Sequence, residues 1–215
     1  MSFGYIGDTS TKVNQKVKNK GVLSISDAFD LEKLGHLGGS QKLISKHTIS
    51  SDATVQFAAL QGDKYKTHLI VLDQVVGTSA TAQDIRIRTS NDGTNYQTSD
   101  YEYFTSDNRI SAHSIENAGG ADGIFYAPDL DNGSQDRIYG WIYMHNANDS
   151  DLYTKFTTWN TLYQSSVEGR QRVGGGQREV AETTLGVQFY SSASGGFASG
   201  TITLYGIKDE WFKIY

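Results

Sequence analysis

The chain has 215 residues, a formal net charge of −5, 12% aromatic residues and no cysteine. Without cysteine there are no disulfides or thiolate metal sites, and no run approaches the roughly 18 consecutive apolar residues of a membrane helix. The ring content argues against a disordered chain, because each buried ring removes on the order of 150 to 250 Å² from water.

Charge is unevenly placed. Residues 1 to 48 hold seven lysines against Asp8, Asp27, Asp30 and Glu32, a balance of +3, so the remainder carries −8. A basic leader on an acidic body suggests two surfaces with different partners, and an acidic body lacks the clustered basic face that nucleic-acid binding needs. The N-terminus lacks the basic-then-apolar order of a signal peptide, so the expectation is a soluble protein made in a cytoplasm, with no membrane insertion.

In chain order, Met1 to Ser10 has no period. The following TKVNQKVKNKGV places Val13 and Val17 four apart among Lys12, Lys16, Lys18 and Lys20. Such a segment buries little alone and reads either as a solvated leader or as an arm ordered on a neighbouring subunit. One short helix follows: Ser24 or Ser26 can cap it, Asp27 and Asp30 favour its positive end, Ala28, Leu31 and Leu34 share a face, and Gly35 ends it. Gly38, Gly39 and Ser40 mark the boundary between an arm, 1–40, and a body, 41–215.

The body reads as strands over Leu43 to Thr48, Thr54 to Leu60, Tyr65 to Val76, Asp84 to Ser90, Tyr101 to Phe104, Arg137 to His145, Leu152 to Gln164, Thr184 to Tyr190 and Thr201 to Ile207. In Asp84 to Ser90, Ile85 and Ile87 point one way and Arg86 and Arg88 the other, so one side is wet or faces a partner. Asn91-Asp92-Gly93 is a turn. Thr105 to Asp136 reads as a long irregular, protruding loop containing the only proline, Pro128. Val173-Gly174-Gly175-Gly176-Gln177-Arg178, flanked by Arg170 and Arg172, reads as a mobile loop with basic rims. The last two strands, with Leu185, Val187 and Phe189 alternating in one and Ile202 and Leu204 in the other, are joined by Ser191 to Gly200. That loop is too long for a two-residue hairpin, so it crosses between sheets or bulges outward, with an exposed tip. Nine strands, one helix and one proline fit a two-sheet β-sandwich, and about eight strands is the jelly-roll number.

Candidate chemistry is sparse. Asp129 to Asp136 has the look of a calcium loop, but Gly133 sits one place early for an EF-hand and no Glu closes it, so a polar turn is expected. The five histidines, His36, His47, His68, His113 and His145, form no zinc motif. Glu102, Glu116, Asp122, Glu168 and Glu179 offer carboxylates for glycoside hydrolysis, but sequence cannot pair them across a cleft. No nucleophile elbow, Walker loop or dinucleotide fingerprint occurs. Tyr139, Trp141 and Tyr143 share one face of a strand, and Trp159 and Tyr163 lie on another. Exposed, such rings would form a sugar platform, but Ile138, Ile142 and Met144 make the opposite face apolar too, so burial on both sides is the expectation.

Two stretches carry a resemblance. The closing FASGTITLYGIK and the leader GYIGDTSTKVNQKVKNKGVLSISDAFDLEKLGHLGGS resemble the ends of short jelly-roll structural proteins in the virions of marine tailed bacteriophages, of tail fibre, knob or decoration type. Together they cover about 65 residues; the middle has no counterpart. The resemblance implies an all-β, jelly-roll-like sandwich with an extended N-terminal arm. It further implies a non-enzymatic virion protein without cofactor, assembled in the host cytoplasm as a homotrimer and attached to capsid, portal or tail proteins, with a host-surface glycan as a further partner. On this view Phe3, Tyr5, Ile6, Val13, Lys16, Val17 and Lys20 anchor the arm to the particle, and Asn117, Asp122, Phe125, Tyr126 and Phe197 are candidate receptor contacts. A carbohydrate-binding module or a polysaccharide depolymerase is the alternative.

Overall fold

The computed structural model describes residues 41–81, 83–133, 135–163, 169–192 and 195–208. The expected helix and all seven anchoring residues lie outside them. The described residues are organised as twelve strands: β1 (Gln41–Asp52), β2 (Thr54–Phe57), β3 (Thr67–Gly77), β4 (Gln83–Ser90), β5 (Tyr101–Arg109), β6 (His113–Ala121), β7 (Ile124–Leu130), β8 (Ile138–His145), β9 (Tyr153–Tyr163), β10 (Gly169–Ala181), β11 (Gly186–Ser191) and β12 (Phe197–Ile207).

They form two sheets of a sandwich. The large sheet has the order β1-β12-β3-β8-β9-β10-β5-β6, the small one β2-β11-β4-β7. With the β5–β6 and β9–β10 hairpins set aside, eight strands remain and their neighbours nest: β1 beside β12, β2 beside β11, β3 beside β8 and β4 beside β7. A single long hairpin folded over on itself gives this nesting. The two hairpins set aside extend only the large sheet, so it outreaches its cover beyond β8.

Alternation explains why these residues form these strands. In β4, Ile85 and Ile87 are fully buried, while Arg86 and Arg88 reach across the other face to the Asp122 carboxylate at 2.6 and 2.9 Å. In β12, Ile202 and Leu204 point into the core and Thr201, Thr203 and Tyr205 point away from it. The core lies between the sheets, where Ile70, Ile142 and Leu204 from the large sheet meet Val55, Ile87 and Phe189 from the small one. Fully burying one such side chain contributes roughly 1.5 to 3 kcal/mol.

Two parts of the body differ from the sequence expectation. Residues 105–136 are not a loop: they complete β5 and form β6 and β7. β6 is exposed along most of its length and β7 is buried on both faces, so neither needs to alternate. Pro128 falls in β7, an edge strand of the small sheet, where a missing N–H disrupts least. The Val173 to Arg178 stretch is likewise no loop but the middle of β10, paired on both sides, with β9 and with β5. The connection after β11 does cross between sheets, since β11 belongs to the small sheet and β12 to the large. Residues 193–194, at the tip of that connection, lie outside the described residues, and Phe197, which opens β12, has its ring fully buried.

Candidate functional site

The outer face of the large sheet carries the concentration of rings. In β8, Ile138, Ile142 and Met144 point inward and are buried, whereas Tyr139 is 43% exposed and Trp141 and Tyr143 are partly exposed. The expectation that this strand is sealed on both sides is therefore corrected: among the described residues, nothing covers its aromatic side. The hydropathy of the two faces is similar, but only one of them has a second sheet opposite it.

Register builds the face rung by rung. Trp141 lies opposite Trp159 of β9, Trp159 opposite Val173 of β10, and Val173 opposite Ser106 of β5. The next rung runs Tyr143, Thr157, Gly175, Phe104 and the one on the other side Tyr139, Thr161, Gln171, Asn108. The two indoles are stacked, with ring centres 6.2 Å apart and planes 14° from parallel. Tyr143 meets Trp141 edge-on at 5.3 Å. Phe104 is 53% exposed, Tyr163 51% and Val173 37%.

Gly175 leaves a gap in the middle of the second rung. A Cβ there would fall on the carbonyl oxygen of Phe156, so the close approach of the backbones requires glycine and the floor stays bare. Charge enters only at the end, in the rung His145, Lys155, Gln177, Glu102, where Gln177 donates to Glu102. Burial lowers the pKa of His145, which keeps it neutral near pH 7.

Beneath this face lies a layer the sequence did not announce. Arg170, Arg172 and Arg178 point inward from β10 and are 7%, 3% and 6% exposed. Arg172 donates to Asp107, itself 1% exposed, and to Glu116, both at 3.4 Å, and its guanidinium lies 4.2 Å from the centre of the Phe125 ring. Arg170 pairs with Asp129 and Arg178 with Glu182. The signal was present as alternation: arginine at 170, 172 and 178 against Gln171, Val173 and Gln177, with the polarity of the two faces reversed.

The candidate receptor contacts do not come together. Phe125 is 2% exposed and Tyr126 and Phe197 are fully buried, so these three are core residues and not surface contacts. Phe125 packs against Tyr103 at 5.8 Å, and the Tyr126 hydroxyl points toward the Trp159 carbonyl at 3.4 Å. Asn117 and Asp122 are exposed. Asp122 is held by Arg86 and Arg88; partial burial would raise its carboxyl, but those two cations keep it below the ordinary carboxylate value. Tyr190, its hydroxyl donating to the Asp122 carbonyl and Arg88 lying over its ring at 3.8 Å, is pushed up to about 12 by burial.

Of the carboxylates considered for hydrolysis, Glu168 lies outside the described residues. Glu102 stands on the outer face, whereas Glu116 lies opposite inward-pointing Thr105, so the two project to opposite sides of the sheet. In the acidic stretch that begins near the end of β7, Asp129 pairs with Arg170 and Asp131 accepts from the Gly133 amide at 2.9 Å. Compared with family models, curated proteins and solved structures, the chain matches none.

Proposed function

We propose that the chain is a non-enzymatic structural protein of a tailed-phage virion, a homotrimer attached to the particle through residues 1–40 and displaying a jelly-roll body on the surface, as tail fibre or adhesin or as capsid decoration. The observation that carries this reading is the nested strand order. With its two hairpins removed, the body has one sheet running first, eighth, third, sixth strand and the other second, seventh, fourth, fifth, which supports a jelly roll, the fold that the resemblance of its two ends implies. The basic leader on the acidic remainder supports a division between anchoring and display.

The test is direct. Virions purified from producing cells should contain the chain by mass spectrometry, light scattering of the purified protein should give a trimer, and removal of residues 1–40 should abolish particle attachment. Absence from the particles, or a strict monomer both free and attached, would contradict the reading. The carbohydrate-binding alternative keeps a specific observation in its favour, the rings of β8 and β9 that no described residue covers; the depolymerase alternative is weakened because Glu102 and Glu116 face opposite sides.

A further inference from the structure

We infer that the outer face of β8, β9, β10 and β5 is a binding site for a neutral, extended, β-linked oligosaccharide or polysaccharide, gripped by the Trp141–Trp159 pair, Tyr143 and Phe104. This deepens the display reading by naming a ligand for the displayed body, but the binding itself does not require a particle.

The argument begins with the mixture of groups. A pyranose has two kinds of surface: patches of C–H, apolar and slightly positive, and a rim of hydroxyls that each need a partner. Aromatic faces are apolar and electron-rich, so they suit the first. Neutral hydroxyls and amides, which donate and accept without the desolvation cost of a charge, suit the second. The face supplies both in neighbouring rungs, with rings at Trp141, Trp159, Tyr143 and Phe104 and neutral polar groups at Thr157 and Gln171.

Charge selects further. The three inner rungs across these four strands carry no charged side chain, and the one lysine on the face, Lys155, stands in the end rung with Glu102, so phosphate or carboxylate groups would find no cation within the inner rungs. The sequence from residue 49 onward carries −8, which repels anionic glycans and nucleic acid and leaves a neutral chain as the complementary ligand.

Dimensions set the length. Adjacent strands lie about 4.8 Å apart, so β8 to β5 spans about 14 Å, the length of a few linked sugars and more than one monosaccharide fills. Equatorial β-linkages keep such a chain flat and ribbon-like, with C–H patches on both sides, whereas an axial linkage coils it away from a sheet. The bare floor at Gly175 lets the ribbon descend between Trp159 and Phe104.

Titration calorimetry on the full-length protein tests this, with cellohexaose, laminarihexaose and mannohexaose as neutral probes and an alginate hexamer as the anionic contrast. At least one neutral hexaose should bind and shift tryptophan emission to shorter wavelength, while the alginate does not. Trp159→Ala should weaken that binding about tenfold or more, the scale of one lost ring stack. Phe104→Ser, at a half-exposed position where folding is not at stake, should weaken it as well, with an unchanged unfolding midpoint. Silence from all three neutral hexaoses at millimolar concentration, preference for alginate, or binding indifferent to both substitutions would overturn the assignment. So would an oligomer that Trp159→Ala dissociates and no hexaose disturbs, since the face would then belong to a second copy. Hexaose binding by a protein that never joins a particle would sink the virion reading and leave the glycan site standing.

Discussion

Arg172 brings a formal charge into a position only 3% exposed, where Asp107 and Glu116 at 3.4 Å and the Phe125 ring at 4.2 Å replace water. Burial lowers the guanidinium pKa, the acidic neighbours opposing the effect. Arg109 also holds Asp107, at 2.9 Å, so Arg172→Met takes one of two cations from the buried carboxylate and should cost less in urea denaturation than the roughly 3 to 5 kcal/mol of a stranded buried charge. That cost should be smaller in an Asp107→Asn background, and an equal cost in both backgrounds would refute the pairing. Asp92 illustrates the opposite case, an exposed carboxylate fixed by its own turn. It accepts from the Asn95 and Thr94 amides at 2.7 and 2.8 Å and from the Asn95 side chain at 2.6 Å, and these hydrogen bonds depress its pKa. Since the folded-state value lies below the unfolded value of about 3.9, the stabilisation is complete above that pH and lost as pH falls through the folded value. Asp92→Ala should therefore melt lower than the parent at pH 7, and the difference should shrink steadily in melts taken below about pH 4.

At the scale of the element, β10 shows what sequence conveys and what it hides. Strands with β-branched or aromatic residues on one face, such as β4 and β12, were legible because one face is buried and the other is not. β6 was illegible because its side chains face solvent, and β7 because both of its faces are covered; neither condition produces a period of two. β10 alternates, but with arginines inward and a Gly174-Gly175-Gly176 run that ordinarily signals a loop. The rings of β8 were legible as a cluster, while their exposure was not, because hydropathy measures a side chain and not the presence of a sheet above it. Replacing glycine by alanine within a strand normally helps. At Gly175 the sign should reverse: the added methyl meets the Phe156 carbonyl, and Gly175→Ala should destabilise the protein by about 1 to 3 kcal/mol in thermal or chemical unfolding. A neutral or stabilising outcome would mean that β9 gives way easily.

For the whole molecule, the sequence conveyed the sandwich and its approximate strand count, because nine of the strands carry their own patterns. The strand order was beyond its reach, since pairing β1 with β12 or β10 with β5 depends on contacts more than 60 residues apart in the chain. The same order explains why the ring-bearing surface was assembled only in three dimensions: Trp141, Trp159, Val173 and Ser106 come from four strands, with β5 entering from an insertion earlier in the sequence than β8.

The unequal width of the two sheets has a dynamic consequence. β3, β8 and β12 lie over the hydrocarbon core, whereas β6 hangs at the rim with β5 as its neighbour and its residues largely in contact with solvent. Opening free energies should fall along that gradient, with the rim hairpin detaching as its own cooperative unit well before global unfolding. Hydrogen–deuterium exchange should find the amides of β6 exchanging first and those of β3, β8 and β12 last; uniform protection across the eight strands would contradict it. A molecule built this way yields at its margin under load while its centre keeps its shape.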